Sequence, residues 1–423
     1  MPLSTPPLPT AVVLSCAGAP DGDLNVVRAL GRRGVPVYVV SEYADPPASR
    51  SRYCEKHIHL PGFTRHPENT IAALIGLSSD LGGKPVLFPT ADPDLQMVSA
   101  WRDRLDPYYD IPIARPELVR SLTNKREFAA LAAAYDLPVP VTHTLDGVAD
   151  LGVFASGLNF PVIIKPADTL AWSRPDVEKL VGARKALIAW TRDEFLAACL
   201  PLMPYAKDLL VQGYIPGRDE YYFDFQAYID RQGNALAWFS GRKIRTSPPA
   251  VGAGCYVESS IVERLSEVGL EVLRTIGFTG LADLDFKFDP ESRDYLLIEI
   301  NPRTAAWNIL PTACGINFPY IAYADLVGIP FDPVGKQAES RRYLHFGNDL
   351  RAFLEYRRRG EWSLLRYIRS LLGKPLVFQL LAFDDLGPFL RPAGASIARR
   401  ISRLFGGLKS IRRKSGSSLD AVK

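Results

Sequence analysis

The stretch GLADLDFKFDPESRDYLLIEINPR, residues 280–303, places carboxylates and an amide at two-residue spacing on both sides of a turn. Asp283, Asp285 and Lys287 alternate with Leu284, Phe286 and Phe288. Beyond the turn, Leu297, Glu299 and Asn301 alternate with Leu296, Ile298 and Ile300. A period of two is that of strands with one apolar and one polar face, so the stretch is predicted to be a β-hairpin. With Asp289 paired to Tyr295, Asp285 lands opposite Glu299 and Asp283 opposite Asn301. Facing carboxylates repel unless a cation lies between them. Hard oxygen donors with an amide beside them suit Mg²⁺. The competing reading is a solvated sheet face whose acids are neutralised by Lys287 and Arg303.

The elements that would position this hairpin can be read along the chain. AVVLS, LNVVRALGRRG and VPVYVVS read as strand, helix and strand, the opening of a parallel sheet. PVLFPTADPD adds a strand that runs into a polar loop at Thr90 and Asp92. Ligands of open α/β sheets gather at such strand ends; the bland reading of Asp92 is a helix cap. CAGAPDG is not a GxGxxG fingerprint, so a dinucleotide site there has little support. From about residue 120 the pattern changes. SLTNKREFAALAAAYDLPVP reads as one helix, NFPVIIKP as a strand ending in lysine, and KALIAW, TRDEFLAACLPLM and KDLLVQGYI as strand, helix and strand. EYYFDFQAYIDRQGNALAWFSGRK reads as a hairpin turning at DRQGN, and SSIVERLSEVGLEVLRTIG as an amphipathic helix. The tract PPAVGAGCYVES reads as a Gly-rich mobile loop. Residues 340–390 read as helical and rich in arginine and aromatics, an amphipathic cap rather than a nucleic-acid surface.

Composition narrows the class. The chain has 423 residues, 47% hydrophobic and 23% charged, with a net charge of +4. That length suits two or three packed domains, and the charge argues against a nucleic-acid partner. The surplus lies at the C-terminus, where residues 391–423 hold nine Lys/Arg against Asp420. Such a tail is either solvated chain or a weak, reversible contact for an anionic membrane surface. The five cysteines are scattered and show no CxxC spacing, which fits a reducing compartment. Cys255 has no histidine near it in sequence and reads as a structural thiol. No signal peptide and no long apolar run is apparent, so a cytoplasmic location is expected. The sequence is compatible with a homo-oligomer.

From about Ser121 to Gly328 the chain resembles the ATP-grasp superfamily, and within it the carboxylate–amine ligase branch. The N-terminal unit is similar to that family's pre-grasp domain. The resemblance implies an α/β (α+β grasp) fold: a Rossmann-like pre-grasp domain over 1–118, then an ATP-grasp domain over 119–335 with its lid at about 160–215. A helical cap over 336–390 and a basic tail over 391–423 would follow. It implies that Asp285, Glu299 and Asn301 hold Mg²⁺, two ions, with Mn²⁺ as a substitute. Lys165 in PVIIKP and Lys125 in TNKREF would reach the ATP phosphates. Gln212 and the backbone of Gly213 and Ile215 would read the adenine, and Glu220 the ribose. One departure stands out. The Gly-rich loop expected after Lys165 is replaced by ADTLAWSRPDVEKLVGARK, where Ser173, Arg174 or Lys179 would have to serve.

The implied reaction is phosphorylation of a carboxylate by ATP and coupling of the acyl phosphate to an amine. Both reactants of the first step are anions, so guanidinium groups are needed to hold them together. Arg303, directly after the acid hairpin, is the first candidate and Arg245 in GRKIRTSPP the second. Arg242, Lys243, Trp307 and Asn308 are candidates for contacts to substrate or phosphate. The same scaffold would also suit a carboxylating ligase, a small-molecule kinase or a non-catalytic ATP sensor. The intact acid–acid–amide set and Arg303 speak against the sensor.

Overall fold

The computed structural model describes residues 7–16, 22–167, 172, 175–181, 186–250, 252–331, 337 and 341–390. Its strands form three sheets. The first holds β1 (Ala11–Ser15), β2 (Val37–Ser41), β3 (Lys56–His59) and β4 (Val86–Phe88), all parallel, in the order β3-β2-β1-β4. Every residue of β1 is buried, as expected of a continuous apolar run covered on both faces.

The second sheet holds β5 (Thr142–Thr144), β6 (Val162–Pro166), β7 (Leu187–Ala189) and β8 (Leu209–Gly213), in the order β5-β8-β6-β7. Residues 142–144 thus join this sheet well before position 160, where the lid was expected to begin. It carries a small core of its own around Ile164, Phe195 and Val211.

The third sheet holds β9 (Tyr222–Ile229), β10 (Ala235–Ser247), β11 (Ala253–Ser259), β12 (Gly280–Asp289), β13 (Asp294–Asn301), β14 (Arg342–Leu344) and β15 (Leu376–Phe378). Their order is β13-β12-β9-β10-β11-β14-β15. One face of β9, β12 and β13 packs Phe225, Leu284, Phe286 and Ile300 against the helix Glu263–Thr275 and the first domain's helices. Part of the other face is covered by Trp307, Ile309 and Tyr323; the rest carries the acids. Gly280 fixes the entry to β12. Its φ is +97°, and a Cβ there would lie 2.8 Å from the Pro112 carbonyl oxygen, so only glycine fits without strain.

Several expectations change. The helix expected over 121–135 is two helices, Pro116–Thr123 and Lys125–Ala134. Asn124 breaks them, because its side chain accepts from the N–H groups of Arg126 and Glu127 and so caps the second. The tract expected as a mobile loop contributes β11, paired to β10 and β14. The expected helical cap is mixed. Helices Phe346–Arg358 and Leu364–Ser370 are present, but β14 and β15 extend the third sheet. Residues 379–385 dock on the first domain, where the fully buried Arg28 guanidinium donates to Asp385 Oδ2 at 2.9 Å and to the carbonyls of Gln379, Leu380 and Asp385. The basic tail lies outside the described residues. Among the described residues, no helix is long and apolar enough to cross a membrane.

Candidate active site

The hairpin β12–β13 brings Asp285 opposite Glu299 and Asp283 opposite Asn301. The pairing near the turn differs from expectation: Asp289 faces Asp294, and Phe288 faces Tyr295. A register shift beyond Phe286–Leu297 adds a residue on the return strand and restores the expected acid pairs. The same shift sends Tyr295, Leu297 and Ile300 into the core, so Leu297 lies on the apolar face, not beside Glu299.

Strand β9 extends the polar face to three strands. Asp224 is the cross-strand partner of Asp285, and Gln226 that of Asp283. One row is therefore Asp224, Asp285, Glu299 and the next Gln226, Asp283, Asn301. Sequence reasoning missed Asp224 and Gln226, although the alternation in YYFDFQAYI sets Tyr222, Asp224 and Gln226 on one face. Asp285 lies close enough to Asp224 and to Glu299 to share a hydrogen bond with either. Burial pushes Asp285 up to about 6, with Asp224 adding to the effect and Lys243 opposing it. Burial and the neighbouring Asp285 push Asp283 up to about 7. Asp224 and Glu299 are raised too, chiefly by burial.

The cation beside these acids is Lys243, whose Nζ lies 3.0 Å from Asp224 and 2.5 Å from Asp285. Lys287, expected to neutralise the acids, instead donates to the Ile215 carbonyl at 2.7 Å. It lies over the rings of Tyr214 and Tyr222, 5.0 and 4.6 Å from their centroids, and burial pulls it down to about 8.

Across from the hairpin stands the second sheet. Lys165 donates to Gln212 Oε1 at 2.9 Å, and Gln212 Nε2 donates to Thr142 at 2.9 Å. The acceptor expected to read an adenine amino group is thus engaged by Lys165. Lys165 is pulled down to about 8, first by burial and then by Lys125, while attraction to Glu299 opposes the shift. Lys125 begins its helix, and its Nζ lies 3.5 Å from the Pro166 carbonyl oxygen. The Gly213 N–H donates to the Val141 carbonyl. Ser173 and Arg174 lie outside the described residues, and Lys179 is exposed on the helix Pro175–Val181.

Arg303 follows the hairpin. Its Nε donates to Asp92 Oδ1 at 2.6 Å, its Nη1 to the Thr304 carbonyl at 3.2 Å and its Nη2 to Asn301 Oδ1 at 3.4 Å. Asp92, at the start of the helix Asp92–Ala100, thereby ties the first domain to the acid hairpin.

The structure separates other candidates from this cluster. Register slips in β10 between Lys243 and Arg245, and the two side chains part. Arg245 is fully buried against Asp349, with bonds of 2.6 and 3.0 Å, and is enclosed by Tyr256, Trp362 and Tyr367. It pins the C-terminal helices to the sheet and cannot reach a reacting phosphate, which corrects its catalytic assignment. Arg242 lies 3.9 Å from Glu258, away from the acids. Glu220 pairs with Arg366 at 2.8 Å on the side of the C-terminal helices. Trp307 is core, packed on Phe239. Asn308 is fully buried, with both amide atoms lacking hydrogen-bond partners. Cys255 is a buried thiol donating to the Arg245 carbonyl, and burial raises it.

Among the described residues, no three His, Cys, Asp or Glu side chains converge as a metal-binding group. The hairpin set is instead two carboxylates and an amide. Its donors suit a hard divalent ion whose remaining ligands come from phosphate or water, and the repulsion between Asp285 and Glu299 gives such an ion a place.

Residues 124–317 match the model of the carbamoyl-phosphate synthase L chain, ATP binding domain. The chain is similar to D-aspartate ligase of Enterococcus faecium, 28% identical over 315 residues, covering 71% of this chain and 74% of the relative. It is 25% identical over 239 residues to the arginine-specific large chain of carbamoyl phosphate synthase of Bacillus subtilis. That match covers 54% of this chain but spans only 22% of the relative. In three dimensions it resembles L-amino acid ligase from Bacillus licheniformis, with a TM-score of 0.57, 15% identity and 79% of each chain covered.

Proposed function

We propose that this chain, which resembles the ATP-grasp superfamily, is an ATP-dependent ligase that activates a carboxylate as an acyl phosphate and joins it to an amine. The observation that carries this reading is the opposition of two charged sets. Asp285, Glu299 and Asn301 stand on the hairpin, and Lys165 stands in the second sheet, near enough to feel the charge of Glu299.

In the proposed reaction, a carboxylate oxygen attacks the γ-phosphorus of ATP and the bond to the β-phosphate oxygen breaks, releasing ADP. The amine then attacks the acyl carbon, phosphate leaves, and the amine gives up a proton. Lys165 and Lys125 hold the triphosphate by charge. Gln212, Gly213 and Ile215 line the base side of the cleft. Asp285, Glu299 and Asn301 would hold Mg²⁺, which when bound neutralises phosphate charge and aligns the transferring group. Arg303, oriented by Asp92, supplies fixed positive charge where the two anions meet. Such preorganised charge is worth most in a site shielded from water.

The similarity to D-aspartate ligase makes D-aspartate the first acid to test. The experiment is release of ADP from MgATP by the purified chain with D-aspartate and hydroxylamine, followed by mass detection of the hydroxamate. Hydroxylamine traps acyl phosphates without a specific amine partner. ADP and hydroxamate formed together support the reading. ATP binding without acid-dependent ADP release from any of a panel of amino and dicarboxylic acids refutes it.

A further inference from the structure

The helices Phe346–Arg358 and Leu364–Ser370 have an inner face that the fold explains and an outer face that it does not. Inward, Phe353 stacks on Tyr367 with ring centroids 4.1 Å apart, in one buried cluster with Ala352, Tyr356, Trp362 and Cys255. Asp349, paired with Arg245, fixes the first helix to the sheet. Outward, Phe346, Leu350 and Leu354 recur at every fourth residue, which sets them in one stripe along the first helix. On the second helix Leu364 and Ile368 repeat that spacing beside Leu365, and Leu372 follows just past its end. These side chains are 39% to 64% exposed. Single exposed apolar residues are ordinary, but stripes of them mark an interaction surface. Because the inner faces share one cluster, the outer faces look away from it together.

The charge around the stripes decides what they fit. Arg351, Arg357, Arg358 and Arg369 are exposed, whereas Arg359 and Arg366 have acid partners in Glu355 and Glu220. Between residues 346 and 372, Glu361 is the one exposed acid. Arg357 and Arg358 lie one turn from Leu354, and Arg369 is next to Ile368, so positive charge borders both stripes. A second copy presenting the same face would bring like charges together. The chain's own residues 391–423, with nine Lys/Arg against Asp420, would be repelled likewise. Single-stranded nucleic acid stacks its bases on aromatic rings, and apart from Phe346 these stripes are aliphatic. An anionic lipid surface suits both features. Its acyl region takes leucine and isoleucine side chains, while guanidinium groups stay at the level of the phosphates.

We propose that the outer faces of these two helices dock the protein on an anionic phospholipid bilayer. Leu350, Leu354, Leu364 and Ile368 enter the boundary between head groups and acyl chains, and Arg357, Arg358 and Arg369 meet lipid phosphates. Arg245 and Asp349 keep the first helix on the sheet, so the folded chain rests on the membrane as a unit. Residues 391–423 carry charge of the same sign and strengthen the attraction; the apolar stripes supply the insertion.

The test is flotation of the full-length chain with two kinds of vesicle, phosphatidylcholine alone and an equimolar mixture of phosphatidylcholine and phosphatidylglycerol. Wild type should float with the anionic vesicles and stay behind with the neutral ones. L354Q/I368Q removes apolar surface at unchanged charge and should weaken binding about tenfold. R357Q/R358Q should weaken it by a similar factor. Both variants alter exposed side chains and should unfold at the wild-type temperature; if one unfolds earlier, the other decides. R399Q/R400Q/R403Q isolates the tail. Binding lost in that variant but unchanged in the two helix variants assigns the contact to the tail alone and overturns the proposal. Equal flotation with both vesicles overturns it too. So does a wild type that floats with neither, whether it forms a dimer that L354Q/I368Q abolishes, which assigns the face to a second copy, or is retained by immobilised polyglutamate, which assigns it to an acidic protein.

Discussion

Arg303 Nε and Asp92 Oδ1 lie 2.6 Å apart, joining the end of the acid hairpin to the first domain across 211 positions of sequence. The charge-assisted bond fixes the guanidinium and leaves Nη1 and Nη2 near Thr304 and Asn301. D92N keeps the shape but weakens this hold. The expected result is a kcat lower by about tenfold, equivalent to about 1.4 kcal/mol of barrier, with the KM for ATP little changed. Steady-state ADP release measures both. An unchanged kcat would separate Asp92 from the reaction.

Lys165 gives a pH-dependent prediction. Its ammonium is held down to about 8 by burial and by Lys125. A triphosphate binds the protonated form. ATP affinity should therefore be full below about pH 7 and fall as pH rises through about 8. K165R keeps its charge throughout and should flatten that decline. K165A should weaken ATP binding by about 1.5–3 kcal/mol. Calorimetric titration from pH 6.5 to 9.5 distinguishes these outcomes, and the same pH slope in K165R and wild type would assign the titration to another group.

Arg245 should behave as a structural residue. R245A strands Asp349, which is fully buried, without its partner. Removing one member of a buried pair costs about 3–5 kcal/mol. Thermal unfolding of R245A should shift down accordingly. Replacing both members, as in R245M/D349L, should recover much of the loss. R245A that unfolds like the wild type but has lost turnover would return Arg245 to the reaction centre.

The hairpin and its acid pairs were legible because alternation along a strand marks faces directly. Even there, the pairing near the turn was off by one residue, since no residue type signals the added residue that restores it. Arg245 was misplaced for a similar reason. Spacing along GRKIR cannot show that register slips between Lys243 and Arg245, and that slip divides a lysine paired with Asp224 and Asp285 from a core arginine. Asp224 and Gln226 were overlooked because their meaning depends on which strand lies beside β12. The neighbour is β9, which follows from sheet order and not from local pattern. Arg28 and Asp385 likewise look like surface charges in sequence, and only the docking of residues 379–385 makes them a buried pair.

Glu299→Gln tests the proposed metal site on the acid hairpin most directly. The substitution is nearly isosteric and removes one of two facing negative charges. The pair of measurements is ADP release with Mg²⁺ titrated, and thermal unfolding of the ligand-free protein. Turnover should fall by several orders of magnitude, because phosphoryl transfer depends on positioning and charge neutralisation. ATP should still bind, and the ligand-free variant should unfold at the wild-type temperature or above, since a repulsion has been relieved. Near-normal turnover in E299Q would contradict the metal assignment and, with it, the placement of the reaction on this hairpin.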